Sequence, residues 1–326
     1  MIAKKQTNLI NNIDHNENLT GQQKCLEFTV ISDPHLVSPD SRNDIRLAED
    51  SVAIFRETIK KIQLTNPDFI IITGDVMEAK EYGFPNLGLA FDEISKISIP
   101  WFIIMGNHDS RYRSTKDNYQ KIDFVKKFES HGPIGNVASW KKDIENKRIT
   151  LIGLDTSQEG TSEGFIDTQQ LDWLQNQLNS ISLNRFVFIF MHHPPIIFDK
   201  IVKDNKDLKM YCLNNHIQLQ GLLKKYKVIK AVIFGHSHVR RYRFKDGIHY
   251  IGVPSINTWP NMFTEFSINN KSIVYKHVPI SNRSIIKEAK SKLFNNNPVG
   301  LNIFNGNKDE LKAYYSRGKN QRILEL

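Results

Sequence analysis

Two cysteines, Cys25 and Cys212, are all that 326 residues contain. That excludes a disulfide framework and makes a reducing, cytoplasmic setting the expectation. No apolar run approaches the ~20 residues needed to cross a bilayer, so no transmembrane segment is expected. Residues 1–24 lack a continuous apolar stretch and are rich in Asn, Gln and Lys. They make a poor signal peptide and read as a flexible arm. There is no internal repeat. Acidic residues are scarce between 200 and 245, where only Asp204 and Asp207 stand against twelve Lys or Arg, a local excess of +10 in a chain of net charge +9. Such a stretch either attracts an anion (a phosphate ester, a nucleic acid, a lipid head group) or is a solvated surface, and charge alone does not choose. The remaining composition, 40% hydrophobic and 24% charged, is that of a soluble globular protein.

What the chain does have is a series of short apolar runs, each ended by a polar cluster. Phe28–Ile31 leads to Asp33-Pro34-His35, Phe69–Ile72 to Gly74-Asp75, and Trp101–Met105 to Gly106-Asn107-His108-Asp109. Phe186–Met191 leads to His192-His193, and Val228–Phe234 to Gly235-His236-Ser237-His238. Runs of this length and composition read as buried strands. Helical spacing is found near 47–64, 89–96, 121–130, 167–178 and 215–226, so strands and helices alternate. After His238, short segments separated by Asp246-Gly247 and Asn269-Asn270 read as antiparallel hairpins. The expected fold is α/β with mixed sheets, and its polar clusters lie at the carboxyl ends of strands, where open sheets place ligands. Residues after about 280 are basic and weakly patterned, with one helix expected near Asp309–Ser316.

The clusters contain three aspartates, an asparagine and six histidines, of which two aspartates, the asparagine and at least four histidines make a donor set for two divalent ions. Mixed oxygen and nitrogen ligation suits Mn, Fe, Zn or Co rather than Ca or Mg alone. Two such ions clamp a phosphoryl group and lower the pKa of a shared water, so no nucleophilic side chain is required. At the fourth cluster either His192 or His193 can be the donor.

In this order and at these positions, the motifs resemble the calcineurin-like metallophosphoesterase superfamily. Each alone is common, but five in sequence at strand ends are not, and the resemblance spans about residues 26–280. It implies a four-layer α/β/β/α sandwich of two mixed sheets flanked by helices. The domain would cover 25–280, between the arm 1–24 and a basic C-terminal extension 281–326. One ion would be held by Asp33, His35, Asp75 and His238, the other by Asp75, Asn107, His192 and His236, with Asp75 bridging. His108 would assist the leaving group, oriented by Asp109, while a metal-bridging hydroxide attacks phosphorus. The Met-His form of the fourth motif favours His192, leaving His193 beside the site.

Asp33-Pro34-His35-Leu36, Gly164-Phe165-Ile166 and His192-His193-Pro194-Pro195 are most similar to the cyclic-nucleotide and glycerophosphodiester phosphodiesterase branch. The substrate implied is a small anionic phosphoester, with a diester favoured. A phosphomonoesterase, a nuclease acting on nucleic acid, or a non-catalytic scaffold are the alternatives. Val76-Met77-Glu78 after Gly74-Asp75 disfavours the tyrosine-ligated iron site of purple acid phosphatases. Arg111, Arg113 and Asn257 are weaker candidates for the pocket. His15, His131, His216, His249, His277 and Cys212 read as structural or surface residues.

Overall fold

The computed structural model describes residues 25–38, 47–79, 83–111, 116–135, 137–199, 210–295, 297, 304 and 306–326. Residues 1–24, residues 200–209 of the basic 200–245 stretch and Arg113 lie outside the described residues.

Two six-stranded sheets form the centre. The first contains β1 (Leu26–Ile31), β2 (Phe69–Thr73), β3 (Trp101–Ile104), β10 (Met262–Ile268), β11 (Ser272–Pro279) and β12 (Gln321–Glu325), in the order β12-β11-β10-β1-β2-β3. The second contains β4 (Trp140–Ile144), β5 (Ile149–Gly153), β6 (Phe186–Met191), β7 (Ile229–Phe234), β8 (Arg241–Lys245) and β9 (Ile248–Gly252), in the order β4-β5-β6-β7-β9-β8. In each sheet the strands that feed the polar clusters run parallel: β1 with β2 and β2 with β3 in one, β5 with β6 and β6 with β7 in the other. Antiparallel strands flank them, so both sheets are mixed.

The central strands are buried on both faces, which is why their sequences are continuous apolar runs rather than alternations. Phe28, Val30, Phe69, Phe188, Phe190 and Ile233 point between the sheets, and Phe28 stacks on Phe69 at 5.1 Å and on Phe266 at 4.8 Å. The alternate residues Ile70, Ile72 and Ile103 face a layer of helices: α1 (Ser51–Thr65), α2 (Gly83–Ile94), α3 (Lys121–Lys127) and α6 (Arg283–Asn295). On the far side, Val187, Ile189 and Val232 meet α4 (Thr168–Ser180) and α5 (His216–Leu223). Three apolar interfaces thus separate four layers, α/β/β/α, as the resemblance implied.

Local chemistry sets the boundaries. The α1 helix ends at Asn66 in the left-handed region, just before Pro67. The α4 helix starts at Asp167, whose side chain accepts from the Gln170 amide at 2.7 Å. The α2 helix begins six residues earlier than its spacing suggests, because Pro85 sits in the first turn, where its missing N–H costs nothing. Two strands carried no readable signal: β4, whose three middle residues are polar, and β12. Residues 281–326, expected as a basic extension, supply α6, the anticipated helix as α7 (Lys308–Ser316), and β12, which pairs with β11.

Candidate metal centre

The clusters converge because they follow parallel strands whose carboxyl ends meet between the sheets. Asp33 and His35 follow β1, Asp75 follows β2, Asn107 and His108 follow β3, His192 follows β6, and His236 and His238 follow β7. Five of these residues have left-handed backbones: Asp33, His35, Asp75, His236 and His238, with φ between 44° and 66°. Non-glycine residues adopt this region at a cost, and here it turns the chain sharply enough to bring Asp33 and His35 into one group and to send His236 and His238 to different ones. Gly74, at φ +86°, leaves no room for a side chain: a Cβ there would lie 2.5 Å from His192 Nδ1. The loops are knit by backbone bonds, His35 N–H to the Asp75 carbonyl at 2.9 Å and Gly235 N–H to the His192 carbonyl at 3.1 Å.

Donor atoms gather in two adjoining groups. In the first, Asp33, His35, Asp75 and His238 each place one atom within 4.8 Å of the others. His238 Nε2 lies 3.3 Å from Asp33 Oδ1, and His35 Nε2 lies 3.5 Å from His238 Nε2 and 3.8 Å from Asp75 Oδ2. In the second, His192 Nε2 lies 3.2 Å from each of Asp75 Oδ1, Asn107 Oδ1 and His236 Nδ1. Asp75 therefore presents one oxygen to each group, and all seven expected ligands are brought together.

The partners of the outer nitrogens say which inner nitrogen carries the lone pair when each ring is neutral. His192 Nδ1 donates to the Thr73 carbonyl at 2.8 Å, His236 Nε2 to the Met210 carbonyl at 2.8 Å, and His35 Nδ1 to Glu78 Oε1 at 2.9 Å. In each neutral ring the opposite nitrogen is then a lone pair. Lone pairs of three histidines, two carboxylates and an amide oxygen thus face one another, and only positive charge relieves that arrangement. A proton on His192 answers part of that demand. Burial pushes Asp75 up, but the histidines around it, His192 foremost, hold it well below the usual carboxylate range. Burial likewise opposes ionisation of Asp33, and His238 outweighs it. His192 is raised to about 9 by Asp75 and Asp33 despite its own burial, whereas burial and His192 push His236 down to about 3. The donor set fits divalent cations.

His193 lies beside this centre, with one ring nitrogen within 4.8 Å of donor atoms of His192 and His236, but both of its nitrogens already have partners. Its Nδ1 meets Thr156 Oγ1 at 2.7 Å and its Nε2 the Ser162 carbonyl at 3.2 Å. His192, not His193, faces Asp75.

One expected role is corrected. Asp109 does not orient His108: its carboxylate accepts the amides of Met77 at 2.9 Å and Gly106 at 2.8 Å, tying the loops after β2 and β3 together. The carboxylate at His108 is Glu78, with Oε2 2.7 Å from Nδ1, and its other oxygen serves His35. Sequence reading also missed Ser255, whose hydroxyl donates to the Asp33 carbonyl, and Thr258, 3.1 Å from His238 Nδ1. Asn257 lies between them, fully buried, with neither end of its side-chain amide paired among the described residues. Arg111 reaches Glu159 at 4.0 Å. His131, His216, His249 and His277 lie outside the centre, bonded or stacked within the fold.

Residues 26–240 match the family described as calcineurin-like phosphoesterase. The chain belongs to that family. Among curated relatives, it is 30% identical to a probable glycerophosphodiester phosphodiesterase (GpdQ) of Arcobacter nitrofigilis over 216 residues, covering 64% of this chain and 70% of the relative. It is 25% identical to a 3',5'-cyclic-nucleotide phosphodiesterase of Nostoc over 252 residues, covering 76% and 84%. Among solved structures, a dimetal phosphatase from Danio rerio superposes with a TM-score of 0.60 at 17% identity, over 78% of this chain and 96% of that one, which shows a shared fold. This calcineurin-like phosphoesterase has, among its described residues, no helix long and apolar enough to cross a membrane.

Proposed function

We propose that this phosphoesterase hydrolyses small anionic phosphodiesters with two divalent ions, one held by Asp33, His35, Asp75 and His238 and the other by Asp75, Asn107, His192 and His236. The observation that carries the reading is the two-sided Asp75 carboxylate, with lone pairs converging on each of its oxygens. Bound there, the ions would supply Lewis-acid charge and a water of lowered pKa. Mixed N/O ligation favours Mn, Fe, Zn or Co. His108 is the group left for the departing oxygen. Its side chain is partly exposed, Glu78 holds Nδ1, and Nε2 sits 3.9 Å from Asp75 Oδ2 at the edge of the centre. Diester preference rests on the two curated relatives, whose names specify glycerophosphodiester and cyclic-nucleotide hydrolysis. A cytoplasmic setting fits two cysteines that remain free.

The test combines metal analysis with hydrolysis of bis-(p-nitrophenyl) phosphate and of p-nitrophenyl phosphate. Two ions per chain and faster diester cleavage are expected, and metal-free, inactive protein would overturn the reading. His108→Ala should lower turnover by a factor on the order of 10²–10⁴ with both ions retained. Loss of an ion in that variant would refute its place outside the ligand set.

A further inference from the structure

Beyond residue 282 the chain returns to the metal centre. The α6 and α7 segments build a separate apolar cluster, with Leu293, Phe294, Leu311, Tyr314 and Tyr315 packed around Val239. Val239 directly follows His238 and is completely buried. Trp259 and Tyr211 pack against the same cluster. Each is one residue away from a group that orients a histidine. Thr258 meets His238 Nδ1 at 3.1 Å, and the Met210 carbonyl accepts from His236 Nε2 at 2.8 Å. The Tyr211 ring itself lies 5.7 Å from that of His236.

Polar contacts fasten the same junction. Arg241 donates Nε to Asp199 and Nη2 to the Tyr314 carbonyl, both at 3.0 Å, and Arg317 pairs with the other Asp199 oxygen. Arg240 donates Nη2 to the Ser316 carbonyl at 3.1 Å. Gly318, at φ +101°, lets the chain pass so close that a Cβ there would lie 2.7 Å from Arg240 Cβ. Residues two and three beyond His238 are thereby bound to residues 314–317.

We propose that Phe294 is a positioning residue for the metal centre. Its ring meets Trp259 edge-on at 5.1 Å and holds the 258–259 loop where Thr258 can fix the His238 ring, with Nε2 toward Asp33. An imidazole has two free torsions, and its affinity for an ion depends on the contacts that hold it; loss of such support weakens metal binding by about 10–100-fold. Phe294 lies outside residues 26–240, which carry the family match. The inference rests on the dinuclear reading above, and its effect falls on the ion that His238 would hold.

The experiment titrates the metal-free full chain with Co²⁺, read by calorimetry and visible absorption. Phe294→Ala should bind one of two ions at least about tenfold more weakly, with an altered spectrum, and Phe294→Leu should restore most of the affinity. Leu178→Ala opens a cavity of similar kind under α4, in a cluster that shares no residue with that of Phe294, and should bind Co²⁺ as the unaltered protein does. Wild-type affinity in Phe294→Ala, or equal weakening in Leu178→Ala, overturns the proposal. Failure of the unaltered protein to bind Co²⁺ overturns the dinuclear reading itself, and this inference with it; the two failures are told apart by the first titration.

Discussion

Glu78 holds the position beside His108 that the resemblance implied for Asp109. Asp109 stands beside His108 in the chain, yet its two oxygens are spent on backbone amides; Glu78, thirty residues away, holds the rings of His108 and His35. The variants should separate cleanly. Asp109→Asn loses one buried amide bond and should lower stability by about 1–3 kcal/mol, read as a shift in the urea midpoint. Glu78→Ala should lower turnover on the order of 10²-fold, because it frees the ring at the leaving group, and should also weaken the ion beside His35, whose ring it holds. A large loss of turnover per folded molecule in Asp109→Asn, with none in Glu78→Ala, would restore the sequence-based assignment. The seven proposed ligand residues stood out in the sequence because each is a metal-donor type at the end of an apolar run, and the fold brings them together. Their supports were not. Two are carbonyls, those of Thr73 and Met210, which leave no trace in residue identity, and Thr258 is an ordinary threonine until the fold sets it against His238.

At the scale of elements, helices α1 and α2 are joined by one ion pair network. Arg56 of α1 donates to Glu93 of α2 at 2.7 and 2.6 Å, and Lys96 reaches the same carboxylate at 2.6 Å. The Arg56 hydrogen bond chiefly, then Lys96, hold Glu93 down to about 2, against a burial that would raise it. A carboxylate lowered on folding stabilises above its ordinary value of 4.5, and the contribution is lost as pH falls from there toward 2. Since Arg56 and Lys96 are largely solvent-exposed, the effect is on the order of 1 kcal/mol. Glu93→Gln should therefore lower the urea midpoint at pH 7, and its gap from the parent protein should close by pH 2.5. An unchanged gap would mean that packing, not charge, joins the helices. The strands that carry the site were readable as elements because burial on both faces makes them continuously apolar. Strand β4 was not, because at a sheet edge polar side chains are tolerated, and β12 was not, because only pairing with β11 makes five mostly exposed residues a strand.

For the whole molecule, acid should be destabilising well before the carboxylates titrate. His131, stacked on Trp101 at 3.6 Å, is pushed down to about 4 by burial. Burial, with Arg240 and Arg322 nearby, pushes His277 down to about 3. A histidine lowered on folding favours the native state above the ordinary value of 6.5, and that advantage is lost as pH falls through the window down to the folded value. Each can cost up to about 1.4 kcal/mol per pH unit there. Denaturant midpoints should fall between pH 6.5 and 4.5, and His277→Gln should flatten the slope; a level profile would contradict the burial of these rings. Metal should act in the opposite sense. Ions that bind only the folded centre add stability by mass action, about 2.7 kcal/mol at a hundredfold excess over Kd. Chelation should lower the melting temperature, and Mn²⁺ or Zn²⁺ should restore it.

By itself the sequence determined the donor types, their order, and the strands that would carry them, because these follow from residue chemistry and short-range periodicity. The tertiary structure alone decided which nitrogens of His192, His236 and His35 are bonded to Thr73, Met210 and Glu78, that Glu78 rather than Asp109 faces His108, and that residues beyond 282 fold back behind His238. Those outcomes depend on contacts between residues 20 to 119 positions apart, which no local pattern encodes. The five polar clusters name the centre, and the packing of two sheets upon each other brings it into being.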